Sequence, residues 1–229
     1  MDKQTYTLLE HHMLSCMKDS AHDKEHIYRV LYLALDIAKT EPQVDYDVLI
    51  ASCLLHDIGR QEQFDNPQLC HAQVGSEKAY RFLTDHGFEP SFAEKVRQCI
   101  LSHRFRKNNP PQSLEAKILF DADKIDVSGA VGIARTLLYE GRQSEPLYKV
   151  LPDGSISDGT NDNTPSFFHE YKRKLERLYT KFYTARGNEI AGQRQEAAIN
   201  FYSSLIDEVK ETYQTGKFLL DECLNQSVS

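Results

Sequence analysis

The sequence predicts an all-α protein, and three observations carry that prediction. Apolar residues recur at spacings of three and four almost everywhere, period-two alternation bounded by turns is nearly absent, and Gly or Pro punctuates the periodic runs. At 229 residues, 40% hydrophobic and 27% charged, the chain is long enough for one substantial core and short for two. The reading is a single domain over residues 1–229. It is a compact helical bundle with a motif-bearing core at 20–140, an irregular loop at 141–164 and an additional antiparallel helix pair at 165–215.

An opening helix is predicted near residues 2–18, with Tyr6, Leu9, Met13 and Met17 at helical spacing. A second, near 23–39, carries His26 with Val30, Leu31 and Leu35, and Pro42 closes it. The run from about 46 to 57 is apolar on most sides, the mark of a central buried element, and Gly59 is a natural C-terminal stop. A loop through Asp65, Asn66 and Pro67 leads to a helix at about 71–86, stopped by Gly87. Ser91 and Glu94 read as a capping box for the next helix, which places Phe92, Val96, Cys99 and Ile100 on one side and His103 at its far end.

Pro110 and Pro111 break the chain, Ser113 can cap a helix through Asp123, and another helix covers about 129–140. Residues 141–164 are rich in Gly, Pro, Ser and Asp without a helical pattern, the composition of a lid or binding loop or else of a disordered segment. Thr164 and Pro165 then start a helix bearing Phe168, Tyr171, Leu175, Leu178 and Phe182. A turn at Gly187 and Asn188 leads to its partner, with Ile190, Ala197, Phe201, Leu205 and Val209. Neither stripe is a long strict heptad, so the pair is expected to pack on the domain, and these helices are where a homo-oligomer would form.

The formal charge of -7 argues against general affinity for nucleic acid duplexes or anionic membranes, so phosphate recognition must be local. Five cysteines are odd in number, and three sit within helical apolar patterns, which favours reduced buried thiols over a disulfide framework. The opening MDKQTYTLLEHHM carries acids and histidines where a signal peptide needs a basic start and an apolar run, and no stretch approaches a membrane span. A cytoplasmic location is expected.

Chemistry concentrates in four residues: His26, then His56 with Asp57 in LLHDIGR, then Asp123 in FDADKID. Two imidazoles and two carboxylates are the mixed nitrogen and oxygen set that holds a divalent transition metal and leaves positions for water and a phosphate. The His-Asp dipeptide alone is weak, and it occurs again at His22-Asp23. What distinguishes His56-Asp57 is its place at the end of a buried apolar helix, where a polar pair must be satisfied by something.

Lys124 could set an ammonium on the phosphate, or could form an ion pair with Asp121 or Asp126. Arg60 has the same two readings, phosphate contact or solvated surface arginine. Arg104, Arg106 and Lys107 could form a basic rim for a triphosphate, although a charge run at a helix end is commonly a solvated face. His71 and His103 stand at helix termini flanking the site.

With these residues placed, the chain resembles the HD-domain metal-dependent phosphohydrolases. The segments HDKEHIYRVLYLALDIA, LIASCLLHDIGR, HAQVGSEKAYRFL, ILSHRF and EAKILFDADKIDVSGAVGIAR are most similar to the bacterial YedJ and YpgQ-like branch. The resemblance implies one divalent ion on His26, His56, Asp57 and Asp123, with Asp121 competing for the last role. It points to manganese, with Mg, Co, Ni, Fe or Zn as alternatives, and permits a second ion on His71 and His103. With one ion, those two histidines become phosphate ligands or a general acid for the leaving oxygen, the option favoured because the extra motif of two-metal phosphodiesterases is lacking.

The implied activity is hydrolysis of a small nucleotide by metal-activated water, foremost pyrophosphohydrolysis of nucleoside or deoxynucleoside triphosphates. The alternatives are a 5'-nucleotidase, a cyclic-nucleotide phosphodiesterase, or a non-catalytic metal- and nucleotide-binding scaffold.

Overall fold

The computed structural model describes residues 1–17, 24–104 and 109–226. Among them the protein is helix and loop, and the sole sheet-like feature is one antiparallel bridge between Val150 and Ile156. No described helix is long and apolar enough to cross a membrane. The cysteines are free, as the odd count implied. Backbone contacts divide the chain into two compact units, one of Met1–Asp126 with Phe182–Glu189, the other of Val127–Lys181 with Ile190–Ser229.

In the first unit, α1 (Lys3–Cys16) starts at Asp2, whose carboxylate accepts the Thr5 N–H at 2.7 Å, and buries Leu9 and Met13. Helix α2 (Lys24–Ala38) buries His26, Val30 and Leu31, as read from sequence, together with Ile27, Ala34 and Ile37, whereas Leu35 is only partly buried. Helix α3 (Tyr46–Leu55), capped by Asp45 accepting from Val48 N at 3.2 Å, is buried almost all round. It packs against α1, α2, α5 (His71–Asp85), α6 (Pro90–Ser102) and α7 (Leu114–Asp126). Each fully buried leucine in such a helix contributes roughly 2 kcal/mol relative to exposure, which is what fixes the otherwise featureless α3 at the centre.

Two local expectations are corrected. Gly59 is not a left-handed stop, since its φ is -97°. It opens α4 (Arg60–Asp65), and it is glycine because a Cβ there would lie 2.4 Å from the His71 carbonyl oxygen and 2.5 Å from Gly75 N. Gly87, by contrast, is left-handed at φ +79° and ends α5 as expected. Ser91 and Glu94 make no capping box, because α6 begins one residue earlier with Pro90 in its first turn and Glu89 before it. Glu94 instead pairs with Arg97. Ser113 does cap α7, accepting from Ala116 N at 3.1 Å.

In the second unit, α8 (Gly129–Arg142) precedes the loop at 143–166, which is tied down rather than loose. Gly159, at φ +83°, sits so close to α9 (Phe167–Arg173) that a Cβ would meet the Phe168 carbonyl at 2.1 Å, and the Tyr202 hydroxyl donates to Asp158 O. The helix expected from Thr164 starts later, with Ser166 as cap for α9, and breaks at Lys174 into a 3-10 turn, Leu175–Thr180. Tyr171 stacks on Tyr202 with ring centroids 4.0 Å apart, joining this segment to α10 (Ala185–Gln226).

The turn expected at Gly187 and Asn188 therefore lies earlier, and Gly187 is inside α10. Asp121 explains the shift: its carboxylate accepts from Tyr183 N, Thr184 N and Thr184 Oγ1 at 2.7 to 3.0 Å, satisfying the N–H groups that lead into α10. A Cβ on Gly187 would lie 2.7 Å from Asp121 Oδ2.

Candidate metal centre

Five elements of the first unit deliver titratable side chains to one place. Helix α2 brings His26, the end of α3 brings His56, and the turn after it brings Asp57. His71 opens α5, His103 follows α6, and Asp123 lies in the last turns of α7. Four imidazoles are present, all nearly fully buried.

Each imidazole donates through Nδ1. His26 Nδ1 is 2.8 Å from Asp126 Oδ2, His56 Nδ1 is 2.8 Å from the Cys53 carbonyl, His71 Nδ1 is 2.6 Å from Gln63 Oε1, and His103 Nδ1 is 2.6 Å from the Ile100 carbonyl. Those acceptors fix the tautomer, so every Nε2 carries a lone pair toward the interior of the site. His56 and His26 bring two such atoms to 3.4 Å of each other. Two lone pairs face to face repel, and a cation between them is the natural relief.

The acids complete the set. Asp123 Oδ1 lies 3.3 Å from His26 Nε2 and 3.9 Å from His56 Nε2, while Asp57 Oδ2 lies 3.6 and 3.7 Å from the same two atoms. The other oxygen of Asp57 faces the opposite way, 3.6 Å from His71 Nε2 and 3.7 Å from His103 Nε2. Asp57 thus straddles two donor groups, His26 with His56 and Asp123, and His71 with His103. His71 Nε2 and His103 Nε2 are buried without a hydrogen-bond partner, and Asp57 Oδ1, beside them, is ion-paired with Arg60. Buried orphan nitrogens beside a carboxylate, donors that suit divalent transition ions, fit a metal on these residues.

Protonation states agree with that role. Burial drives His56 down to about 4 and His71 down to about 3, so both are neutral near pH 7 and keep the lone pair that a metal needs. For Asp57, desolvation is outweighed by Arg60 and His56, and for Asp123 by the His26 hydrogen bond, so both carboxyls stay below the usual range. The Asp123 side chain, 22% exposed against 7% for Asp57, marks the side open to solvent.

The cationic candidates lie around this set. Arg60 Nε approaches Asp57 Oδ1 at 2.9 Å. Lys124 Nζ rests 4.5 Å above the Phe120 ring, and burial holds the neighbouring Asp121 carboxyl above its usual range despite the hydrogen bonds from Tyr183 and Thr184 and the charge of Lys124. Arg104 Nη1 lies 3.9 Å from Cys70 Sγ, beside the start of α5. Arg106, Lys107 and His22 lie outside the described residues. Asp121, the rival of Asp123, is turned away and fully occupied with Tyr183 and Thr184.

Three residues escaped the sequence reading. Asp126 is completely buried and bridges His26 to Arg29, whose Nε and Nη2 reach it at 2.7 and 3.2 Å. Its signal was available, since Arg29 follows His26 and Asp126 follows Asp123 by one helical turn. Gln63, which orients His71, carries no such signal because it reaches across from α4.

Residues 24–128 match the HD domain family model. YpgQ of Bacillus subtilis strain 168, described as uncharacterized, is 28% identical over 196 residues, covering 84% of this chain and 86% of YpgQ. The crystal structure of Bacillus subtilis YpgQ in complex with ADP superposes with a TM-score of 0.69 at 26% identity, covering 89% of this chain and 97% of that one. A predicted HD superfamily hydrolase from an uncultured Thermotogales bacterium is 28% identical with a TM-score of 0.59, over 90% and 92% of the two chains. The buried His and Asp set, the helical frame that assembles it and these likenesses agree: residues 24–128 form an HD domain, and the chain is similar over most of its length to YpgQ and to an HD superfamily hydrolase.

Proposed function

We propose that the protein hydrolyses a small nucleotide, with a nucleoside or deoxynucleoside triphosphate as substrate and the nucleoside monophosphate and pyrophosphate as products. The observation that carries this reading is the meeting of His26, His56, Asp57 and Asp123 within one buried site, where the two Nε2 atoms lie 3.4 Å apart and within 3.3 to 3.9 Å of a carboxylate oxygen of each acid. A YpgQ structure containing ADP supports the nucleotide class, as does a fold shared over nearly the whole length of that protein.

In this reading the four residues hold one divalent ion, manganese by preference, which when bound polarises a phosphate oxygen and makes water a stronger nucleophile. The remaining work belongs to the chain. Asp126, the Cys53 carbonyl, the Ile100 carbonyl and Gln63 hold the imidazoles in one tautomer. His71, held neutral by burial, and His103 both donate through Nδ1 and present Nε2 to the site, a geometry that suits them to orienting water more than to protonating a leaving oxygen. Lys124, Arg60 and Arg104 are the cations available to phosphate oxygens, offsetting charge as it moves to the departing pyrophosphate. Water attacks the α-phosphorus and the α–β anhydride bond breaks.

A panel of nucleoside triphosphates, diphosphates, monophosphates and cyclic monophosphates, assayed with Mn²⁺, Mg²⁺, Co²⁺ and Ni²⁺, tests the proposal when phosphate and pyrophosphate are both quantified. Pyrophosphate released from triphosphates with repeated turnover is expected. Phosphate from monophosphates alone would move the activity to a 5'-nucleotidase, and metal and nucleotide binding without turnover would leave a scaffold.

A further inference from the structure

We propose that Arg60 occupies, with its guanidinium, the charge position that a second divalent ion would otherwise take, so that the centre works with one ion and one arginine. The inference rests on the metal site proposed above and concerns the other half of it.

By donor type, a second ion has a place to go. Asp57 Oδ1, His71 Nε2 and His103 Nε2 form a buried three-donor group, and its two imidazole nitrogens have no hydrogen-bond partner. Yet Arg60 Nε stands 2.9 Å from that same oxygen. Its approach is built into the chain, because Arg60 is the first residue of α4, one helical turn after Asp57, and Gly59 between them is wedged against the His71 carbonyl and Gly75 N. The backbone from which the arginine projects is thereby fixed beside Asp57.

Charge points the same way. One divalent ion on Asp57 and Asp123 is balanced by two carboxylates. A second would find only the shared Asp57 oxygen and the imidazoles of His71 and His103, with no further acid in that donor group. Arg60 and Arg104 already place positive charge on His71. A guanidinium brings the single positive charge that the site can balance.

The test is metal stoichiometry. The protein is equilibrated with excess Mn²⁺, freed of loose ion, and examined by elemental analysis and electron paramagnetic resonance. The wild type is expected to hold one ion per chain with the six-line signal of isolated Mn²⁺. Arg60→Gln is expected to take up a second and show a spin-coupled pair, Arg60→Lys to stay at one, and Arg60→Gln with His71→Ala to return to one. Arg60 is about a third exposed, so its replacement opens no core cavity, and circular dichroism confirms the fold. Two coupled ions in the wild type, or a single ion in Arg60→Gln, would overturn the inference while leaving the hydrolase reading intact. A wild type that binds no ion at all would overturn both.

Discussion

Asp126→Asn isolates the outer support of the metal site. The carboxylate is completely buried and accepts from His26 Nδ1 at 2.8 Å and from Arg29 Nε and Nη2 at 2.7 and 3.2 Å. Asparagine keeps the shape but has one acceptor oxygen, so either His26 or Arg29 must meet an amide N–H. If the amide N–H faces His26, the imidazole relieves the clash by moving its proton to Nε2, the atom that faces His56 and Asp123. Loss of an outer partner ordinarily weakens metal binding about 10–100-fold, roughly 1.4–2.7 kcal/mol, and the tautomer change places this variant at the upper end. The Arg29 side chain is 35% exposed and can turn to water, so the stability loss should stay near 1–3 kcal/mol, the range for one unsatisfied buried partner. Mn²⁺ affinity by chelator competition and urea unfolding of the metal-free protein separate the two effects. An Mn²⁺ affinity within about twofold of wild type would refute the reasoning.

Other substitutions address the remaining parts. Asp57→Ala should abolish both bound metal and hydrolysis while far-ultraviolet circular dichroism is largely retained; hydrolysis by a metal-free variant would contradict the mechanism. Asp121→Asn should leave bound metal unchanged and lower stability by about 1–3 kcal/mol, because it strips the cap from the start of α10. Metal loss equal to that of Asp123→Asn would show that the wrong aspartate holds the ion. Buried Glu140 on α8 is pushed from 4.5 up to about 7 by desolvation and by Glu145 and Glu170, against the pull of Lys174. The folded state then holds the extra proton between these values, so this stability is complete below 4.5 and is lost as pH rises through about 7. Glu140→Gln should flatten the fall in Tm between pH 5 and 8, and an unchanged slope would exclude Glu140 as its source.

Local pattern made much of the fold legible. The spacing of His26, Val30, Leu31 and Leu35 predicted α2, and the all-round apolarity of Leu49 to Leu55 predicted that α3 is central, because burial of a helix face is written in its own periodicity. Boundaries were less legible where a distant group sets them. The start of α10 depends on Asp121, more than sixty residues upstream, and Gly59 is required by α5 rather than by its own φ.

The sequence by itself determined the all-α class, the identity of the donor types and the segments that carry them, since these follow from residue chemistry and spacing along one helix. Only the tertiary structure decided that Asp123 and not Asp121 faces His26, that Asp57 turns one oxygen to each donor group, and that Asp126, Arg29 and Gln63 take part. Those choices depend on how separate helices pack, and the direction in which a carboxylate points is fixed by the partners that packing brings within hydrogen-bond reach.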